Sequence, residues 1–361
     1  MKARVIAMYL PQYHPIPEND IHWGPGFTEW RNVVQAKPLF RGHYQPHLPA
    51  DLGFYDLRVP EVRQVQADMA REAGIEGFMY WHYWFGNGRM LLEKPFQEVL
   101  KTGKPDFPFC LGWANHSWTT KTWVKGKNFA KDTMIMEQLY PGEEDYRAHF
   151  DYVLPAFKDK RYITVDGKPL FLIWNAYDIP DCKSFMNLWR KWANEEGLPG
   201  IYFVGLRNGY KRYLQPLLDM GFDGVNERGI WEAEEKSLGW LLRRFRSTFS
   251  MRLKMVANKY NYSKIIKYLN NDDCYLENVF PTILPGYDRS PRSGKKGPIY
   301  HNATPKNFDR LVKDTLKFVE NKEDEHKIIF LMSWNEWGEG NHMEPDIKYG
   351  HQFLDVLKNN L

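Results

Sequence analysis

Two glutamates near residue 340 have the spacing and the surroundings of a catalytic acid pair. Glu336 and Glu339 lie three residues apart in the segment WNEWGEG at 334–340, among tryptophans and glycines. The segment follows the apolar run 328–332, where a buried strand is expected to end. Carboxylates are rarely buried without partners, and a pair among aromatic rings is typical of enzymes that break or make glycosidic bonds. We therefore predict that both glutamates are catalytic.

Such chemistry requires that one carboxyl group stays protonated near neutral pH, because it must donate a proton. Burial or a neighbouring negative charge raises the pKa of a carboxyl group. Glu336 and Glu339 are close enough to affect one another, and Trp334 and Trp337 can supply apolar surroundings. The spacing leaves open direct attack, inversion and participation by a neighbouring group. The alternative is a strand-end cap with two solvated glutamates.

The composition is that of a globular protein rich in aromatic residues. Of 361 residues, 43% are hydrophobic, and 14 tryptophans, 21 tyrosines and 22 phenylalanines make up an aromatic share of 16%. A core does not need so many polar aromatic groups, whereas a cleft that stacks on sugar rings does. The net charge of +4 is too small to indicate nucleic-acid binding.

Neither a metal site nor a cofactor is predicted. The cysteines at 110, 182 and 274 are odd in number and lack paired spacing, which argues against disulfides and zinc. His14, His82 and His116 follow different predicted strands, so hydrogen bonding to a sugar is their favoured role. The apolar run 5–10 ends too early for a secretory signal, and no stretch approaches the ~20 apolar residues of a membrane span. We expect a cytoplasmic protein, with a peripheral position at the inner membrane as the alternative.

Eight near-continuous apolar runs predict strands that are buried on both faces of a parallel sheet. They cover residues 5–10, 77–81, 108–113, 170–174, 201–206, 222–225, 279–284 and 328–333. Helical periodicity follows several of them, at 59–73, 184–197, 210–220 and 307–321, and glycine closes the first three. The alternation predicts a single (β/α)8 TIM barrel over residues 1–361 with long loop insertions. A doubly wound open sheet is the alternative.

Active sites of (β/α)8 barrels lie at the carboxyl ends of the strands, so the residues that follow each run are candidate substrate-binding residues. In the first half of the chain they are Tyr9, His14, His82, Tyr83, Trp84, Trp113, Asn115 and His116. In the second half they are Trp174, Asn175, Glu227, Tyr287, Asp288, Asn335, Trp337 and Glu344. The alternative for each is an isolated strand-end cap.

Two segments interrupt the strand–helix repeat. The segment HWGPGFTEW at 22–30 is predicted to be a shaped loop that brings Trp23 and Glu29 to the cleft wall, with packing as the alternative for the tryptophans. An insertion at about 229–271 contains a predicted basic amphipathic helix. Its basic residues include Arg243, Arg244, Arg246, Arg252 and Lys254. We favour a helix that packs on the barrel, with contact to a membrane or a lipid-linked glycan as the alternative partner.

Several motifs together resemble one known family. They are MYLPQYH at 8–14, WGPGFTEW at 23–30, YWHYWF at 80–85, WAN at 113–115, PGYD at 285–288 and WNEWGE at 334–339. In these motifs, over nearly the whole chain, the protein resembles WbsX-type proteins, which are similar to glycoside hydrolase family 99. Such proteins come mostly from bacterial polysaccharide loci and are often labelled glycosyltransferases.

The resemblance implies a (β/α)8 enzyme that acts within α-mannosides and retains configuration. It also implies that Glu336 deprotonates the substrate's 2-hydroxyl, which attacks the anomeric carbon to give a 1,2-anhydro sugar, while Glu339 serves as acid and then base. The characterised hydrolases have a histidine where this chain has Gly338, and the WbsX-type pattern fits better here.

Three functions follow in order of preference. The first is a retaining glycoside hydrolase or transglycosylase that acts on an α-linked, mannoside-like bacterial polysaccharide or its lipid-linked precursor. The second is a glycosyltransferase of O-antigen or capsule biosynthesis. The lack of an Asp-x-Asp pair, a Gly-x-Gly-x-x-Gly loop and a Walker sequence weakens this second function. The third is a non-catalytic glycan-binding barrel, which would not require an acid pair.

Overall fold

The computed structural model of the chain describes residues 2–120, 133–207, 213–238 and 258–361. Eight parallel strands form a barrel, and each coincides with one of the apolar runs. They are β1 (Arg4–Tyr9), β2 (Gly77–His82), β3 (Phe109–Trp113), β4 (Lys168–Ile173), β5 (Tyr202–Arg207), β6 (Gly224–Glu227), β7 (Val279–Phe280 with Thr282–Ile283) and β8 (Ile328–Leu331). The predicted (β/α)8 fold is confirmed.

The barrel closes through a strand that proline divides into two segments. The first segment of β7 pairs with β6, and the second pairs with β8. Pro281 lies between them; it has no N–H to donate, but its carbonyl accepts a hydrogen bond from the backbone N–H of Phe330 at 3.0 Å. Strand β8 then pairs with β1, so the two segments of β7 complete the ring of strands.

The apolar runs are continuous because both faces of each strand are buried. All six residues of β2 and all five of β3 are buried. Inside the barrel, space is short: a Cβ atom on Gly112 would lie 2.9 Å from Met79 Sδ on the neighbouring strand. The end of the Met79 side chain would therefore have to move to accommodate a larger residue at this position of β3.

Twelve α-helices lie among the described residues, mostly between successive strands. They are α1 (Pro17–Trp23), α2 (Trp30–Val34), α3 (Pro60–Glu72), α4 (Lys94–Thr102), α5 (Glu143–Phe157), α6 (Cys182–Glu195), α7 (Leu214–Asp219), α8 (Ile230–Leu238), α9 (Tyr262–Ile265), α10 (Ser290–Ser293), α11 (Pro305–Val319) and α12 (Gln352–Asn360). Local sequence sets their ends: the Asp181 carboxylate accepts from Ser184 N before α6, and Gly103 ends α4 in the left-handed conformation. None of the helices in the described ranges is long and apolar enough to cross a membrane.

Short strands pair outside the barrel. Trp118–Thr119 pairs with Met134–Met136, and Thr164–Val165 pairs with β4. Lys259–Asn261 pairs with Ile299–His301, and Asn335–Glu336 pairs with Asn341–His342. The last of these pairs carries one of the predicted catalytic glutamates.

The two predicted interruptions differ in how much of them is described. In the first, the predicted loop at 22–30 is the end of α1, a loop, and the start of α2, so its tryptophans lie in helices. In the second, α8, a short strand and α9 lie within 229–271. The predicted basic helix with Arg243, Arg244, Arg246, Arg252 and Lys254 lies outside the described residues.

Candidate active site

A cavity of about 510 Å³ opens at the carboxyl ends of the barrel strands. Its walls come from residues that follow β1, β2, β3, β4, β6, β7 and β8. Six predicted site residues line it: Tyr83, His116, Trp174, Tyr287, Glu336 and Glu339. The two glutamates are thus brought into one cavity with four of the predicted binding residues.

The glutamates are held by a small hairpin that is anchored to the first barrel strand. Residues 335–336 pair antiparallel with 341–342, and a 3-10 turn carries Glu339 between them. The Asn335 side chain donates to the carbonyl of Leu10 at 3.0 Å and accepts from its N–H at 2.7 Å. Because Asn335 is fully buried, this double contact fixes the start of the hairpin against the end of β1.

One buried guanidinium group joins three carboxylates. Arg292 donates to Glu336 Oε1 at 2.8 Å and to Glu339 Oε1 at 2.7 Å. It also donates to Glu29 Oε1 at 3.0 Å and Oε2 at 3.2 Å. Arg289 lies 3.1 Å from Glu339 Oε1. We call Glu29, Arg292, Glu336 and Glu339 the cleft cluster.

The glycine between the two glutamates makes room for this arrangement. A Cβ atom on Gly338 would lie 2.3 Å from Glu29 Oε1 and 2.9 Å from Arg292 Nε. A side chain at this position is incompatible with the Glu29–Arg292 ion pair. The departure from the hydrolase pattern at Gly338 therefore coincides with a carboxylate–guanidinium pair that occupies the space.

The two catalytic candidates differ in their electrostatic surroundings. Burial raises the pKa of Glu336 to about 8, and the nearby carboxylates of Glu339 and Glu29 add to this while Arg292 opposes it. Burial also acts to raise the pKa of Glu339, but the guanidinium groups of Arg289, Arg292 and Arg228 outweigh it and lower the pKa. The pair therefore holds one proton near neutral pH, as acid–base catalysis requires.

Glu344 lies behind the cleft cluster, in a network of neutral donors. Its carboxylate accepts from Tyr55 Oη at 2.7 Å, Gln66 Nε2 at 2.5 Å and Trp337 Nε1 at 2.6 Å. Burial raises the pKa of Glu344 to about 7, and these hydrogen bonds oppose the rise. We call these four residues the Glu344 network. Trp337 and Glu344 were predicted to bind substrate, but the structure places both behind the cavity wall.

Three predicted residues at or just after the ends of β2 and β3, which are His82, Trp84 and Trp113, form an aromatic cluster. His82 Nε2 lies 2.8 Å from His149 Nε2, and the Trp84 ring stacks on His149 with centroids 4.8 Å apart. Trp113 Nε1 donates to the carbonyl of Trp84 at 2.9 Å. Burial lowers the pKa of His82 to about 3, so the ring is neutral. The structure places these three predicted residues in the core between the barrel and α5.

Four other predicted polar residues connect neighbouring strand ends. Asn115 donates to the carbonyl of Asn175 at 2.8 Å and accepts from its N–H at 2.8 Å. Asp288 accepts from His43 at 2.6 Å, and Glu227 pairs with Arg207 at 2.6 Å. These contacts hold loops at the rim, and none of these side chains lines the cavity.

Three predicted residues near the amino end of the chain also lie elsewhere. Tyr9 is buried below the cavity, where its hydroxyl donates to Gln66 at 2.7 Å. His14 is buried, and burial lowers its pKa to about 4. The half-buried Trp23 ring packs on Phe27 at 5.1 Å. Alternation explains Tyr9: adjacent Met8 and Leu10 line the cavity, so Tyr9 faces the opposite side.

Sequence reasoning missed several residues of the cavity wall. They include Gln12, Trp81, Arg228, Arg289 and Arg292. Gln12 and Trp81 lie inside the quoted motifs, and Arg228 directly follows the predicted Glu227, so a strict reading of strand ends would have found them. Arg292 lies 44 residues before Glu336 in sequence, and no spacing rule connects the two.

One group of side chains in the described part of the chain has the composition of a metal site. Ligand atoms of His47, His342 and Asp346 lie within 4.8 Å of one another, beside a separate cavity of about 110 Å³. His47 Nδ1 and His342 Nε2 are 3.0 Å apart, and His342 Nδ1 lies 3.0 Å from the Glu344 carbonyl. Burial lowers the pKa of both histidines, so the contact between the rings is a neutral hydrogen bond. None of the histidines considered from sequence belongs to this group.

The chain is similar to several known proteins and solved structures. An uncharacterized protein of Xanthomonas campestris pv. campestris, WxcX, is 33% identical over 359 residues, which cover 99% of this chain and 49% of that protein. The chain thus spans about half the length of the curated relatives it matches. A solved glycoside hydrolase-like protein aligns with a TM-score of 0.65 at 16% identity, over 99% of this chain and 93% of that one.

A second solved relative is the GH99 endo-alpha-mannosidase from Bacteroides thetaiotaomicron. It aligns with a TM-score of 0.55 at 15% identity, over 98% of this chain and 95% of that one. At such identities the likeness establishes the shared barrel fold. The family described as Glycosyltransferase WbsX matches residues 5–357, a span that includes every barrel strand but the first residue of β1. The chain belongs to the WbsX family.

Proposed function

We propose that this protein is a carbohydrate-active enzyme, a retaining glycoside hydrolase or transglycosylase that acts on an α-linked bacterial glycan. One observation carries the proposal: Glu336, which is buried, and Glu339, which is partly exposed, have opposite pKa shifts and share one guanidinium group at the wall of a cavity of about 510 Å³. Membership of the WbsX family and the barrel shared with glycoside hydrolases support the same class of substrate.

The proposed reaction uses one protonated and one ionised carboxyl group. The acid donates its proton to the glycosidic oxygen as the bond to the anomeric carbon breaks. The carboxylate takes the proton of the substrate's 2-hydroxyl, whose oxygen attacks the anomeric carbon and closes a 1,2-anhydro ring. Water or a second sugar hydroxyl then attacks the anomeric carbon and opens this ring. The former acid accepts the proton of the attacking group, and the former base returns its proton to the 2-oxygen.

The family resemblance and the pKa shifts suggest different roles for the two glutamates. The family resemblance implies that Glu339 is the acid and Glu336 the base. In the free site the raised pKa of Glu336 and the lowered pKa of Glu339 put the proton on Glu336. We propose the family's order for the substrate complex, in which Arg292, which donates to both carboxyl groups, can stabilise whichever of them is ionised.

The substrate test measures new reducing ends and transfer products. We would incubate the protein with α-linked oligosaccharides and bacterial surface polysaccharides and follow the products by mass spectrometry and NMR. New reducing ends that are absent with Glu339→Gln support a hydrolase, and longer saccharides support a transglycosylase. Cleavage that is equal in Glu339→Gln would contradict the proposed site.

The role test compares substrates with good and poor leaving groups. A glycosyl fluoride does not need protonation to leave, so a variant that lacks the acid keeps this first step. We expect Glu339→Gln to cleave the fluoride and to lose activity on the ordinary glycan, whereas Glu336→Gln loses both. The reverse pattern would assign the acid to Glu336, as the free site suggests.

The second candidate is a glycosyltransferase, because the cavity wall contains Arg228, Arg289, Arg292 and Lys296. Such cations can neutralise a diphosphate without a metal ion. Formation of a glycoside from a nucleotide sugar or a lipid-linked sugar, with no release of reducing ends from glycans, would favour this candidate.

A further inference from the structure

One arginine in the cavity wall differs from the others in its lack of a partner. The Arg228 side chain belongs to a residue that is 7% exposed, and its Nε atom is buried without a hydrogen-bond acceptor. No carboxylate in the described ranges lies within ion-pair distance of it. By contrast, Arg292 contacts three carboxylates, and Arg207 contacts two.

A buried guanidinium group with no carboxylate in direct contact is unfavourable, because it loses its hydration and gains only the longer-range attraction of Glu339. Burial accordingly lowers the pKa of Arg228 from its ordinary value. The aromatic face of Trp174, whose centroid is 5.0 Å from the guanidinium carbon, offsets part of this cost.

Two further cations line the same cavity. Arg289 lies beside Glu339, and Lys296 is exposed. The third lining carboxylate, Glu234, accepts a hydrogen bond from the Tyr300 hydroxyl at 2.9 Å. With Arg292 held by the cleft cluster, the wall near Arg228 retains excess positive charge that faces the cavity.

We propose that Arg228, with Arg289 and Lys296, forms a subsite for an anionic substituent of the glycan, a carboxylate or a phosphate. Such a group accepts two parallel hydrogen bonds from a guanidinium group and supplies the missing charge. The inference rests on the proposed function, since it takes the ligand to be a glycan. It narrows the substrate class to acidic saccharides.

The test measures binding of matched acidic and neutral ligands by calorimetry. We would use α-linked oligosaccharides that contain glucuronate, together with the same oligosaccharides after reduction of the carboxyl group to an alcohol. The wild-type protein should bind the acidic form about tenfold or more tightly, as expected for a charged hydrogen bond. A second arm of the test compares the binding of a hexose 1-phosphate with that of the free hexose. Tighter binding of the acidic ligand in the first arm identifies the anion as a carboxylate, and in the second arm as a phosphate.

Variants of single residues test whether Arg228 causes the preference for acidic ligands. Arg228→Gln should abolish the preference for the acidic ligand, and Arg228→Lys should retain part of it. Lys101→Gln removes one positive charge from the exposed side of α4, outside the cavity lining, and should retain the full preference. Circular dichroism of each variant would verify that it is folded.

Two results would overturn the inference: equal binding of acidic and neutral ligands in both arms, or a preference that survives in Arg228→Gln. Binding is measured without turnover, so the inference and the proposed function can fail separately. A protein that prefers acidic ligands but cleaves no glycan would contradict only the proposed function. A protein that cleaves neutral glycans and shows no preference would contradict only the subsite.

Discussion

The cleft cluster and the Glu344 network are two buried carboxylate sites that differ in their partners. In both, burial raises the pKa of a glutamate, that of Glu336 to about 8 and that of Glu344 to about 7. Glu336 contacts a guanidinium group and faces a cavity. The Glu344 carboxylate accepts hydrogen bonds from three neutral side chains, those of Tyr55, Gln66 and Trp337, and lies behind the cavity wall.

The difference teaches that burial and a raised pKa do not identify a catalytic carboxylate by themselves. Access to a cavity and a second ionisable partner are also required. The two sites are nevertheless connected, because Trp337 follows Glu336 in sequence and donates its indole N–H to Glu344 at 2.6 Å. We interpret the Glu344 network as a support for the hairpin that carries the proposed catalytic pair.

The largest effect on stability is expected at Arg292. Replacing it by methionine leaves three carboxylates buried together, and removing one partner of a buried ion pair typically costs about 3–5 kcal/mol of unfolding free energy. Chemical denaturation of Arg292→Met should show a loss of this size. Arg58→Met, which removes an exposed ion pair with Asp56, should change little. Equal stability of Arg292→Met and the wild type would contradict the electrostatic account of the cleft cluster.

The next largest effect on stability is expected at Gly338, where neighbouring side chains leave no space for a Cβ atom. Gly338→Ala places a methyl group against Glu29 and Arg292, and we expect a loss of about 1–3 kcal/mol of unfolding free energy, as for other overpacked sites. The double variant Glu29→Ala/Gly338→Ala should lose less than the sum of the two single losses, since the clash is gone. Strictly additive losses would show that Glu29 does not occupy the space.

Sequence reasoning predicted the barrel well because burial on both faces leaves continuous apolar runs. It did not predict that Pro281 divides β7, although the proline is visible in the run 279–284. The two catalytic candidates, Glu336 and Glu339, could be identified from the sequence because they lie close together in it. Glu29 was predicted at the cleft, but its partner Arg292 was not, since the chain brings it there from 263 residues away.

Other site residues were misplaced because a strand end does not fix where a side chain points. Tyr83 and Trp84 are adjacent, yet only Tyr83 lines the cavity. Glu344 was a reasonable candidate as an acidic residue near the predicted site. However, the hydrogen-bond donors that bind its carboxylate, Tyr55 and Gln66, lie 289 and 278 residues away along the chain. Such partners become visible only in the folded protein.

The Glu344 network also predicts a pH dependence of stability. Because folding raises the pKa of Glu344 from its ordinary 4.5 to about 7, its contribution is complete below pH 4.5 and is lost as the pH rises through 7. Between pH 5 and 7.5 the unfolding free energy of the wild type should therefore fall more steeply than that of Glu344→Gln, by about 1–2 kcal/mol. Parallel profiles would show that Glu344 is ionised in the folded protein throughout.

A smaller effect is expected at the edge of the same network. Tyr55→Phe removes one hydrogen bond of 2.7 Å to Glu344 and keeps the ring, so the unfolding free energy should fall by about 1 kcal/mol. Catalysis should be unchanged, because Tyr55 does not line the cavity. A large loss of turnover in a stable Tyr55→Phe variant would assign the network a direct role in the reaction.

The most direct test of the distinction between the two sites is a comparison of kcat/KM for three variants on one cleaved glycan. The account predicts that Glu336→Gln and Glu339→Gln lose about 100-fold or more, as expected when an acid or base is removed, while Glu344→Gln stays within a few-fold of the wild type. A Glu344→Gln variant that is folded and loses as much as the other two would contradict the account. Wild-type kcat/KM in Glu336→Gln would contradict it as well.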